Sequence, residues 1–550
     1  MELDSKKLFT RKATGIVREV SPTGAMMFNI NSVNPNYALL TCLLVESVGT
    51  AWVFGSLAIA ALVAVVFVSV YVCFTATMPR SGGDCVFTSR TMTAAFGSTW
   101  GPIIGPMLAF VGSLSMWGAE IIFQSVNSIW VASTYIASAL ISLGLPDLAM
   151  AMMEPMNTLI VSWVVLILVN ATMLWGMKTL IKLQWFAFVF GMLGTFIGGA
   201  YLWQVFLSPG GHQAFVDSFN VFAGPYLSSP NPYEEVSSYL PSMSFTALET
   251  FIASVLIFTS VGYPFFSTYI AGEIKEANSL RKQAYSMFTP IVVVTALVLF
   301  IMIPLEGLAG QAFLGGAENM FYIPPFPWSL PAPPSPFLWI GLTVSDRLAN
   351  IIVQIAGVMW GFLICAILPP MLTRTPFQWS FDRFLPEVFS RVDEKHHSPY
   401  VTVLFVTALS MIAAAFLAFQ QQLIFLAGLA VTGASAIMFA TTFSFVSLAA
   451  VVFPYKMRGI YEKSAISKHK LLGLPLMSVV GALSFVSMVS YTYFSFTAPE
   501  LGVIAVPETV QIVLGIIAAS FIAYFGILAS RKLLKHDIDY SGIFTAIPPE

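Results

Sequence analysis

Charge is scarce in this chain. Asp, Glu, Lys and Arg supply 9% of its 550 residues, while 57% are hydrophobic. A soluble protein of this length needs far more charged surface, so a water-soluble fold is excluded. Cysteine is also rare: Cys42, Cys73, Cys85 and Cys365 show no metal-type spacing and read as buried or reduced thiols rather than a disulfide framework or zinc site. Histidine is nearly absent, and the adjacent pair His396-His397 falls in a charged loop beside Asp393, Glu394 and Lys395, a solvated setting rather than a metal site. No Gly-x-x-x-x-Gly-Lys-Ser/Thr loop is present, which argues against ATP-driven pumping. No histidine or clustered acid pair lies at depth, which argues against an intramembrane enzyme. No repeated polar face or charged ring suggests a channel. The net charge of −2 says little about partners; neither a nucleic-acid partner nor a cofactor is expected.

What the chain does have is long apolar runs. Stretches near 21–45, 53–77, 104–142, 156–176, 183–207, 246–273, 286–306, 348–373, 400–419, 423–453, 472–496 and 508–529 are each long enough for a bilayer span. The expected fold class is therefore an all-α integral membrane protein with twelve transmembrane helices. If the N-terminus is inside, all but Arg347 of the 25 basic residues fall on the cytoplasmic side. That obeys the positive-inside rule and puts both termini in the cytoplasm. The first span follows a basic, polar stretch without a small-residue cleavage site, so a signal peptide is not expected.

Two spans look broken near their middles. The first carries Phe28-Asn29-Ile30-Asn31-Ser32-Val33-Asn34-Pro35 and the sixth carries Thr259-Ser260-Val261-Gly262-Tyr263-Pro264. Asn34-Pro35 suits an N-cap and first helical residue, Gly262 a helix stop, and Pro264 a restart two residues later. Unwound backbone in a bilayer is tolerated only against protein or a watery cavity, and paired interruptions in two halves point to a secondary transporter's binding site. The restarted half-helices would aim positive N-termini at the midplane, suiting a carboxylate. The halves that stop there would present carbonyls to an ammonium group, so a zwitterion would fit. The simpler reading of each break is a Pro or Gly kink. The expected organisation is a cytoplasmic tail (1–20), a first repeat of helices 1–5 (21–207), an extracellular loop (208–245), an inverted second repeat of helices 6–10 (246–453), helices 11–12 (454–529) and a cytoplasmic tail (530–550). The second outer loop, 307–347, is Pro-rich at Tyr322–Pro327 and Pro331–Pro334, which favours extended polyproline conformation and suits a lid or a rigid connector.

Three further stretches carry a resemblance: Met78-Pro79-Arg80-Ser81-Gly82-Gly83-Asp84-Cys85-Val86-Phe87, then Ala271-Gly272-Glu273-Ile274-Lys275-Glu276-Ala277-Asn278-Ser279-Leu280-Arg281, then Asp382-Arg383-Phe384-Leu385-Pro386 with Ser398-Pro399. Their order and spacing resemble the amino acid permeases of the amino acid–polyamine–organocation superfamily over nearly the whole chain. The resemblance implies a 5+5 inverted repeat with discontinuous helices 1 and 6, plus two extra helices, and alternating access around a central site. It places substrate contacts at Phe28, Asn29, Ile30 and Asn31 and at Thr259, Ser260, Val261, Gly262 and Tyr263. Trp117, Gly118, Ile121 and Gln124 in the third span are expected to line the side-chain pocket. Members commonly carry Gly-Ser-Gly-type residues where Phe28-Asn29-Ile30 stands here, and bulkier residues restrict backbone approach. Gly191 stands where proton-coupled members often have a lysine, and the eighth span lacks an obvious Ser/Thr pair of the kind that sodium-coupled relatives use. The coupling ion, proton or sodium, is open.

Glu120 is the one acidic residue near the middle of a long span. Such a residue costs about 2.5–3.5 kcal/mol on insertion scales and marks a functional site by default. It is a candidate proton-coupling residue, and the competing reading is a hydrogen-bonded group between packed helices. Glu46, Glu249 and Glu306 sit near outer span ends. The leading expectation is a multi-pass cell-membrane transporter of a neutral amino acid, ion-coupled or exchanging. A transporter-fold amino-acid sensor and a carrier of polyamines or other amines are the alternatives.

Overall fold

The computed structural model describes residues 18–240, 244–323, 327–419, 433–501, 507–533 and 544. Among them, eleven helices are long and apolar enough to cross a membrane: Val53–Thr77, Gly83–Ser142, Pro155–Trp175, Met177–Phe206, Ala247–Glu273, Leu280–Ala309, Arg347–Phe381, Tyr400–Phe419, Gly433–Lys456, Leu476–Thr497 and Thr509–Ser530. They coincide with the second to twelfth expected spans. The first expected span is absent from this set because it is two 12-residue helices, Pro22–Val33 and Pro35–Glu46, each too short to cross alone. Ahead of the third span, expected to start near residue 104, a separate helical stretch begins at Gly83 and is set off by a kink at Gly97 (φ +73°, ψ −172°).

The most apolar stretch of the sixth span is 94% buried, whereas that of the last helix, Thr509–Ser530, is only 17% buried. The sixth span is thus enclosed by protein and the last faces lipid. The start of the first span and the end of the sixth are joined by backbone pairing. Val20 N donates to Glu273 O at 2.9 Å, and Lys275 N donates to Val20 O at 2.9 Å.

The described residues of the two long segments expected as outer loops, 208–245 and 307–347, are largely folded. Helices Gly211–Ala223, Pro232–Ser237, Gln311–Tyr322 and Pro336–Thr343 form a cap. Phe313 is its hub: its ring lies 4.6 Å from Phe219, 5.2 Å from Trp339 and 5.0 Å from Tyr233, on which it stacks. Gly315 and Gly316 let the cap close on its neighbours, because a Cβ would lie 2.4 Å from Glu46 O and 2.1 Å from Val236 O. The Pro331–Pro334 run has no regular helix, as expected, but it is buried rather than an exposed connector. Part of the earlier Pro-rich run, 324–326, lies outside the described residues, as do 420–432 at the expected start of the tenth span.

Candidate functional site

Both interruptions exist, in different forms from those expected. The first helix stays helical through Val33, so Phe28, Asn29, Ile30 and Asn31 are helical and not unwound. Only Asn34 departs, at φ 53° and ψ 103°. Asparagine tolerates that left-handed φ better than most residues. Asn34 also caps the restart: its Oδ1 accepts from Tyr37 N at 3.1 Å, and its Nδ2 donates to Trp360 O at 2.8 Å. The sixth span stops where expected, with Val261 last in the helix and Gly262 as its cap. It resumes as a 3-10 helix, Phe266–Glu273, rather than an α-helix starting at Pro264.

The two breaks satisfy each other. Ser260 Oγ donates to Val33 O at 2.5 Å, and Ser32 Oγ lies 2.8 Å from both Tyr263 O and Asn29 O. Asn29 ties the first span to the sixth and seventh. Its Oδ1 accepts from Ser267 N at 3.0 Å, and its Nδ2 donates to Ser267 Oγ and Ser286 O at 2.9 Å each.

Beside these clasps lies a small cavity, about 340 Å³ of space including some open to solvent. Ser32 and Tyr37 line it from the first span, Glu120 and Phe123 from the third, and Thr259, Tyr263 and Phe266 from the sixth. Ile367 and the tenth-span residues Ala434, Ser435 and Met438 complete it. Tyr37 Oη and Thr259 Oγ1 lie 3.4 Å apart, and the Tyr37 ring meets Phe123 edge-on at 5.4 Å. Glu120 is 1% exposed, and neither carboxyl oxygen has a hydrogen-bond partner among the described residues.

Of the residues expected to bind or select substrate, Thr259 and Tyr263 line this cavity, as does Glu120, the candidate proton-coupling residue. Phe28, Ile30, Ser260, Val261, Gly262 and Ile121 do not. Asn29 is spent on the clasp, and Asn31 Nδ2 lies 2.9 Å from Met27 Sδ and 3.2 Å from Gln184 Oε1. Trp117 donates to Leu372 O, Gly118 faces Ile516 of the last span, and Gln124 joins Asn170 and Ser410. The third span thus reaches the cavity through Glu120 and Phe123 rather than through Trp117, Gly118, Ile121 or Gln124. Phe123, three residues after Glu120, shares its helix face and was legible by that spacing. Ser435 and Met438 carried no such signal. At Gly191 a Cβ would lie 2.8 Å from the Trp360 ring, so a lysine has no room there.

Glu273 of the second motif and Asp382 of the third are held in buried ion pairs that the sequence did not disclose. Arg90 donates to Asp382 through both Nη atoms, at 2.8 and 3.1 Å. Arg374 donates to Glu273 through Nε at 2.8 Å and Nη2 at 3.1 Å. Both arginines are fully buried. Tyr269 donates to Asp84, and Gly82 holds φ +92° at the turn between. In the loop at 393–397, the backbone N–H of His396 draws the Asp393 carboxyl below its ordinary range, and the His396 ring bonds the same carboxyl. Among the described residues no three His, Cys, Asp or Glu side chains are grouped to hold a metal ion.

Apolar crossing helices around a buried cavity beside two helix interruptions define a multi-pass membrane protein of the permease class. Over residues 23–522 the chain matches the family described as Amino acid permease, and it belongs to that family. No curated protein matches it. Membership points to a transporter of amino acids or related organic compounds rather than to an enzyme.

Proposed function

We propose that this protein is a secondary transporter that moves a small solute bearing an amino group, an amino acid or a related amine, across the cell membrane by alternating access. The observation that carries this reading is Glu120: an unpartnered carboxyl in a cavity beside the two interrupted helices, where an ammonium group or a transported proton would relieve it. The buried ion pairs at the cytoplasmic motifs and the folded outer cap support two separate closures, as alternating access requires. The same reading takes 21–207 and 246–453 as inverted repeats, with both termini cytoplasmic. Proton coupling through Glu120 is favoured over a lysine-based scheme, since Gly191 is packed against Trp360.

Reconstituted protein should accumulate labelled amino acids or amines under an imposed proton or sodium gradient, and collapse of one gradient should abolish accumulation. Saturable binding without flux under either gradient would replace the transporter by a sensor of the same fold.

A further inference from the structure

We propose that the solute is an organic amine without a carboxylate, its ammonium held by Glu120 within the rings of Tyr37, Phe123, Tyr263 and Phe266. This rests on the cavity being the transport site. A zwitterion would need partners for both of its charges. Its carboxylate would look for N–H groups at the restarted helices, but Tyr37 N is taken by Asn34 and Ser267 N by Asn29. Pro35 and Pro264 have no N–H to give. Its ammonium would look for carbonyls freed at the breaks, but Val33 O and Tyr263 O already accept from Ser260 and Ser32. Four polar backbone groups at the breaks are thus already paired within the protein.

What remains facing the cavity is one-sided. Among the described residues no Lys, Arg or His lines it, and Arg90 and Arg374 are held in bidentate pairs elsewhere. A substrate carboxylate would share a small, buried space with Glu120 and find no cation to offset it, a costly arrangement. A lone ammonium meets the opposite situation. Glu120 presents two unpartnered oxygens, and aromatic faces attract a cation further.

The test uses purified full-length protein and two matched pairs, phenethylamine with phenylalanine and isobutylamine with valine. Each pair differs by one carboxylate. Equilibrium binding should favour the amine by at least about tenfold in one pair or both, the size of a single charge-assisted bond. Glu120→Gln should remove that preference while eluting as a monodisperse peak. Amino acids binding as tightly as their amines in both pairs, no amine binding at all, or a preference unchanged in Glu120→Gln would each overturn the proposal. The wild-type comparison decides even if the variant does not fold. Uptake separates the two readings. Tight amine binding without flux sinks the transporter and keeps the ligand class, whereas amino-acid flux without amine binding does the reverse.

Discussion

Asn34 shows how much one residue does at a membrane break. It adopts a left-handed φ, caps the following helix and donates to Trp360 O. Asn34→Ala loses all three and should lower stability by about 1–3 kcal/mol. Asn34→Gly, which keeps the backbone conformation, should recover part of the thermal midpoint. Gly262 works by a different rule than its position suggests. Its φ of −75° suits any residue, but a Cβ would lie 2.7 Å from both the ring and the carbonyl of Phe258. That ring packs on Tyr491 at 5.2 Å and Phe67 at 5.6 Å. Gly262→Val should therefore abolish uptake and also lower the thermal midpoint, rather than leave folding intact; normal uptake would remove this break from the transport cycle. Glu318, in the outer cap, is buried with both oxygens unpartnered among the described residues, and burial pushes its carboxyl well above the ordinary range. A carboxyl raised in the folded state favours folding at low pH and loses that contribution as pH climbs from its unfolded value toward its folded one. Glu318→Gln should flatten this part of the stability–pH profile, matching wild type least at neutral pH and most below about pH 4.

At the scale of elements, the helical stretch that precedes the third span and the adjoining ends of the sixth and eighth spans are fastened by charge rather than by apolar packing alone. A buried pair stripped of one partner leaves an uncompensated ion, costing about 3–5 kcal/mol, whereas an apolar replacement of both partners is often neutral. Asp382→Asn alone should therefore reduce folded yield and thermal midpoint more than the double variant Arg90→Met with Asp382→Leu. If Asp382→Asn matches wild type in both, Arg90 is not held by this pair. Transport should suffer in both variants, since the pair ties the stretch before the third span to the end of the eighth. The two interrupted helices behave as one element: serine from each break satisfies a carbonyl of the other, and Asn29 adds a third tie. Local rules for Asn, Pro and Gly were enough to find both breaks. They missed that the first is one residue wide, because cross-helix serine donors let the preceding turn stay helical.

Across the whole molecule, the sequence by itself determined the membrane class, the course of the helices and the motifs that define the family. These follow from transfer free energies and backbone preferences, which act on neighbouring residues and need no knowledge of what packs where. Only the tertiary structure decided which side chains meet. Glu120 faces the cavity, while Trp117, Gly118 and Gln124, on other parts of the same helix, turn to neighbouring helices. Arg90 and Arg374, read from sequence as ordinary cytoplasmic charges, are buried against acids roughly 290 and 100 residues distant in the chain. In a soluble helix, polar and apolar faces reveal the rotation. In lipid both the outer and the packed faces are apolar, so the rotation of each span, and with it the lining of the cavity, is set by packing between helices rather than by a pattern written along one of them.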